Sequence, residues 1–192
     1  MKTLVMLFAL AACLPAADCT LELRGSSTQY RYADVLCIGT NNLVLDAYYI
    51  GNPGANETNI GLGYQLKPKP SVTFIPVLYV TGGKEKGQRG AKLALILGWE
   101  KGEYKASGYL ARYQRVAGTA ANYLVLDTFD ATRVLSKHWE AGASFGFLQQ
   151  TGKWNPQYGP LAKLNDKLGY TSVSYRFGVR ELRVSRVFVI KR

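Results

Sequence analysis

Histidine occurs once in these 192 residues, at His138, and cysteine three times, at Cys13, Cys19 and Cys37, so no His/Cys cluster is available to hold a metal ion. Acidic residues are scarce as well: 13 Asp and Glu stand against 24 Lys and Arg, a formal charge of +11. That surplus is not gathered into a block, and with 13 Tyr, 20 Gly and 47% apolar residues the chain is not a disordered basic tail. Nucleic acid is therefore not an expected partner; a basic field also suits anions or lipid phosphates. The apolar run Leu4 to Ala12 is too short to cross a bilayer as a helix. Glycines such as Gly61, Gly63, Gly142 and Gly146 carry no phosphate-loop spacing, and no cofactor is expected.

What is present begins with an export signal. Met1-Lys2-Thr3 followed by Leu4 to Ala12 has the charged start and short apolar stretch of a secretory leader, assigned to residues 1–17 with its cleavage point open. Ala16-Ala17 suits an ordinary signal peptidase, whereas Leu10-Ala11-Ala12-Cys13 matches a lipobox and makes Cys13 a candidate for lipidation. Cys19 and Cys37 remain in either case, and an oxidising compartment makes them a candidate disulfide.

The clearest local pattern lies between Tyr123 and Gln150. Trp139, Ala141, Ala143, Phe145 and Phe147 fall on one face of a strand, while Glu140, Gly142, Ser144 and Gly146 fall on the other. The same period of two places Ile60, Leu62, Tyr64 and Leu66 opposite Asn59, Gly61, Gly63 and Gln65, and Leu93, Leu95, Leu97 and Trp99 opposite Lys92, Ala94, Ile96, Gly98 and Glu100. Ser71 to Thr81 is apolar on both faces and holds Pro76, so a bulge is expected there. Residues 18–42 are read as an N-terminal segment with mixed faces, and residues 43–192 as one barrel domain. Short turns at 67–70, 101–102, 136–138 and 165–167 alternate with longer loops at 52–57, 82–90, 117–122 and 151–157. That asymmetry predicts a single antiparallel transmembrane β-barrel of ten to twelve strands, with short periplasmic turns and longer external loops.

The WEAGASFGF strand after the SKHW turn, the LNDKLGYTSVSYRFG hairpin arm and the GLGYQL strand resemble those of small bacterial outer-membrane β-barrel, porin-like proteins. The resemblance covers about 43–192 and is one of style. It implies a Gram-negative outer membrane, contact with its lipid and lipopolysaccharide, and insertion by the barrel-assembly machinery. Such chains usually finish on an aromatic residue, whereas this one finishes Val189-Ile190-Lys191-Arg192.

On this reading Asp46, Lys92, Glu100, Lys105, Lys163 and Arg176 line the lumen, joined by Asp127, Asp130 and Arg186, because a Lys or Arg facing lipid costs ~2–4 kcal/mol at the midplane. The expected role is passive passage of small solutes, anionic ones among them, or a structural role in the envelope, with no catalysis. Trp99, Tyr104, Trp139 and Tyr170 sit beside short turns and are read as a membrane girdle. Two alternatives stay open. Ser136, His138 and Glu140, two residues apart in turn, suggest a lipid A acyl hydrolase or transferase. A soluble periplasmic lipocalin-like barrel would turn the oily faces inward around an apolar ligand.

Overall fold

A computed structural model describes residues 17–53, 55–83 and 88–191. The leader, but for Ala17, and Cys13 with its lipidation lie outside the described residues. The strands are β1 (Ala17–Ser26), β2 (Arg31–Gly39), β3 (Leu43–Asn52), β4 (Ala55–Tyr64), β5 (Leu66–Lys69), β6 (Val72–Gly82), β7 (Arg89–Lys101), β8 (Tyr104–Ala117), β9 (Tyr123–Val134), β10 (Trp139–Gln150), β11 (Lys153–Asp166), β12 (Gly169–Arg176) and β13 (Glu181–Ile190). Strands β4 and β5 are one run broken at Gln65, and both pair with β6, so the sheet has twelve staves. Sequential neighbours pair antiparallel, and β1 pairs with β13 through Leu21↔Phe188, which closes the barrel.

Closure corrects the expected domain boundary. The segment 18–42 is not separate from the barrel: β1 and β2 are two of its staves, and the disulfide Cys19–Cys37 joins them at directly opposed positions. Without them β3 and β13 would present unpaired backbone groups to hydrocarbon, where each costs several kcal/mol. The mixed faces have a local cause, since the inner face of β2 carries Leu36 and Ile38 beside Tyr32 and Asp34.

Two expected loops are also mostly strand. In the stretch 52–57, β3 runs to Asn52 and β4 begins at Ala55. The connection at 151–157 shrinks to Thr151-Gly152, which reverse the chain with φ of 51° and 78°. Trp154 and Pro156 thus belong to β11, opposite Gln149 and Phe147. The chain leaves β6 at Gly82 and β8 at Ala117 on the same end of the barrel. Pro76 needs no bulge in β6, whose register with β7 is unbroken from Val72↔Trp99 to Gly82↔Arg89. On its other side the pairing with β4 stops at Gly63↔Val77 and that with β5 resumes at Leu66↔Phe74. The missing proline N–H falls in that gap.

The oily faces point out. Leu62 is 61% exposed and Phe145 42%, and Leu78, Val80 and Leu93 share the outer surface. Inside, Val44, Tyr48, Ile75, Val77, Tyr79, Ala94 and Ala111 form a packed wall on β3 and β6–β8. Gly61 and Gly142 make this geometry fit. A Cβ on Gly61 would stand 2.5 Å from the Tyr79 ring, and one on Gly142 would stand 1.9 Å from the Ala131 carbonyl oxygen.

Gly142→Ala should therefore lose folded barrel, by about 1–3 kcal/mol of overpacking, whereas Gly25→Ala, which meets nothing within 4 Å, should refold like the parent. The ratio of heat-modifiable to denatured band on an unboiled gel measures both. Leu62→Arg should cost ~2–4 kcal/mol if that side chain touches lipid near the midplane. An equal yield of parent and variant after refolding into vesicles would refute the outward assignment.

Candidate functional site

Three cavities follow one another through the barrel. The first, about 470 Å³, opens beside the connections at 27–30, 118–122 and 177–180 and is lined by Thr28, Tyr30, Ala120, Tyr123 and Val179. A second, about 330 Å³, opens at the other end between Pro70, Ser71, Glu100 and Asn165. The third, about 210 Å³, lies between them. It shares Tyr32, Tyr109, Asp127 and Arg183 with the first, and Ser107, Asp130 and Tyr170 with the second. These shared residues mark where neighbouring cavities adjoin along the path.

Strand alternation places the charged groups on this path, and most of them are already engaged. On β1, β12 and β13, Arg24 lies 2.8 Å from Glu22 and also pairs with Asp127; Arg183 reaches Asp127 at 3.2 Å and Glu181 at 3.1 Å. Arg176 donates to Gln157 and, at 2.7 Å, to the Asp127 carbonyl oxygen. The Arg24 and Arg183 guanidinium groups lie over the Tyr32 and Tyr30 rings at 4.6 and 4.8 Å. On the facing wall Lys92 pairs with Glu57 and donates to Tyr48 Oη at 2.7 Å. Tyr123 donates to the same Glu57 carboxylate at 2.8 Å. At the far mouth Lys105 meets Glu140 at 2.7 Å and Lys163 meets Asp130 at 3.2 Å.

The sequence-derived lumen residues fall as follows. Asp46, Lys92, Lys163 and Arg176 are buried in the interior; Lys105 and Glu100 line the second mouth. Asp127 and Asp130 also face inward. Arg186 does not: it lies on the outer face near the 167–168 turn, bound to Asp166 at 2.6 Å and set over the Phe188 ring. Trp99, Tyr104 and Trp139 stand on the outer surface at one end of the barrel, at 41%, 50% and 51% exposure. Tyr170 is a correction. It lines the second and third cavities with Lys163 Nζ 5.2 Å from its ring centre, because the tight turn at Gly169, with φ of 142°, begins β12 with position 170 facing inward.

Sequence reasoning missed Glu22, Arg24, Glu57, Glu181 and Arg183. A signal for β1 was available: Cys19, Leu21 and Leu23 alternate with Thr20, Glu22 and Arg24. Among the described residues, the cavity lining is also not net basic. The three cavities are lined by six cations (Arg24, Lys92, Lys105, Lys163, Arg176, Arg183) and nine carboxylates (Glu22, Asp34, Asp46, Glu57, Glu100, Asp127, Asp130, Glu140, Glu181). The basic surplus sits on the rims instead, with exposed Lys67, Lys69, Lys101, Lys137 and Lys167 at one end and Arg31, Arg115, Lys153 and Arg180 toward the other.

Ser136, His138 and Glu140 are not brought together. Ser136 Oγ accepts from the His138 and Trp139 backbone N–H groups at 3.3 and 3.2 Å, which closes the turn. The His138 ring contacts the Asn165 carbonyl oxygen at 3.2 Å, and Glu140 turns inward to Lys105, Thr132 and Asn165.

No protein-family model and no curated protein matches the chain. Solved structures do. A KdgM porin superposes with a TM-score of 0.64 at 12% identity, covering 91% of this chain and 99% of its own. The KdgM porin in complex with disordered oligogalacturonate gives the same figures. A NanC porin follows with a TM-score of 0.61 at 11% identity, covering 91% of this chain and 100% of its own. An oily exterior, a charged interior and a sheet closed on itself are thus set in the architecture of these proteins, and the chain has the fold of the porin-like outer-membrane β-barrels.

Proposed function

We propose that the barrel is a narrow, passive conduit for small hydrophilic solutes across the bacterial outer membrane, with no catalytic step. The observation that carries this reading is the succession of cavities from one mouth to the other, lined by polar and charged groups that a purely structural barrel could replace with apolar packing. Twelve strands stand between the eight that side chains fill and the sixteen of open porins, so the path is narrow.

The neighbour crystallised with oligogalacturonate supports counting anions among the solutes. In this lumen, however, the arginines Arg24 and Arg183 already face carboxylates, and the acidic groups outnumber the basic ones. Outer-membrane lipid and lipopolysaccharide are the proposed surroundings: exposed lysines and arginines on both rims suit phosphate groups, and the barrel-assembly machinery would deliver the chain there. The outward leucines speak against the lipocalin-like alternative, and the dispersal of Ser136, His138 and Glu140 speaks against the lipid A hydrolase.

Purified protein in a planar bilayer should give small, steady conductance steps. Tyr109 lines both the first cavity and the central one, and its hydroxyl is bonded to Tyr48 Oη at 2.8 Å. Tyr109→Ala should enlarge the steps, provided unboiled gels show the variant folded. A bilayer that stays silent with folded protein at micromolar concentration would refute the conduit.

A further inference from the structure

We infer that Asp127 bars the passage: carried inward by a bulge in β9 and tied to arginines on the far wall, it limits conductance and holds back anion preference. The inference rests on the conduit proposed above. In β9, Asp127 and Thr128 together stand opposite Gly146 of β10 on one side and Tyr109 of β8 on the other. The pairing jumps from Phe145↔Phe129 to Phe147↔Leu126, and from Gly108↔Phe129 to Leu110↔Leu126. The extra residue re-aims the strand. Asp127 and Asp130, three positions apart, therefore both face the lumen, where strict alternation would send one of them to lipid. Gly146 leaves room for this, since a Cβ there would stand 2.6 Å from the Asp127 carbonyl oxygen. That oxygen accepts from Arg176 at 2.7 Å.

The carboxylate reaches across the lumen. Around the ring, four strands separate β9 from β1 on one side and six on the other, so the two are nearly opposite. Asp127 nevertheless pairs with Arg24 of β1 and, at 3.2 Å, with Arg183 of β13. Asp127 and Arg183 line both the first and the central cavity, Arg176 the first alone and Arg24 the central one alone, so the cluster stands where the two adjoin. The arginines have partners on their own wall: Arg24 has Glu22 at 2.8 Å and the Tyr32 ring, and Arg183 has Glu181 at 3.1 Å and the Tyr30 ring. Asp127 makes no other ion pair among the described residues. Withdrawing its carboxylate therefore clears the crossing and leaves two guanidinium groups facing the solute, an arrangement that favours anions in a pore.

Single-channel recording in a tenfold potassium chloride gradient reads both effects, with every variant checked for heat-modifiable migration. Asp127→Ala should enlarge the conductance steps and move the reversal potential toward the chloride equilibrium value. Asp130→Ala, the same change of charge on the same strand, should move both less. Arg24→Ala with Asp127→Ala keeps the net charge and removes the crossing, so its steps should also exceed the parent's while its reversal potential stays nearer the parent's. That pair supplies the conductance reading if Asp127→Ala does not fold. Folded variants whose steps match the parent's, or an equal shift from Asp130→Ala, would overturn the inference and leave the conduit standing. A folded but silent parent would overturn both.

Discussion

A hydrocarbon surrounding leaves no solvent for backbone N–H and C=O groups, so the sheet has to close. The pairing of β1 with β13 is where it does. The remaining features follow from that closure. Once the sheet is a ring, each strand has one lipid side and one lumen side, and every inward side chain faces a wall across a limited space. The glycines at 61 and 142 stand where that space is crowded, against the Tyr79 ring and the Ala131 carbonyl. The interruption at Gln65 stands where Pro76 cannot donate.

Closure also explains how so many ionisable groups are held inside. A buried charge is expensive unless it is paired and hydrogen-bonded. The two walls answer this with linked clusters rather than isolated pairs. Asp127 holds the arginines Arg24 and Arg183 through its carboxylate and Arg176 through its carbonyl oxygen, while Glu57 receives Lys92, Asn59, Gln88 and Tyr123 together. Such groups come from strands far apart in sequence, as in the separation of 103 residues between Arg24 and Asp127. They tie the lumen together while leaving polar surfaces along the path.

Legibility in the sequence varied with how cleanly each strand separates its faces. On β4, β7 and β10 one face is almost wholly apolar, so direction and period could both be read, and the inward places of Lys92 and Glu100 followed. On β2 and β13 the inner face carries Leu36, Ile38 and Val187 beside charged groups, and the alternation dissolves. Thr151-Gly152 looked like the start of a loop because Asn155 and Pro156 follow. Two positive φ values complete the reversal instead, and the strand resumes at once. Tyr170 was misplaced because proximity to a turn does not set which way a strand begins.

The order of residues along the chain was enough to determine an antiparallel, alternating β protein with oily and polar faces, because a period of two is a local property of the extended backbone. It was also enough to set the overall basic charge. Where that charge goes was decided by the closed sheet, which sends the surplus lysines and arginines to the rims and leaves a carboxylate excess within. The reason is geometric: which residues meet across a lumen depends on closure and register between distant strands, and neither is a property of any short stretch.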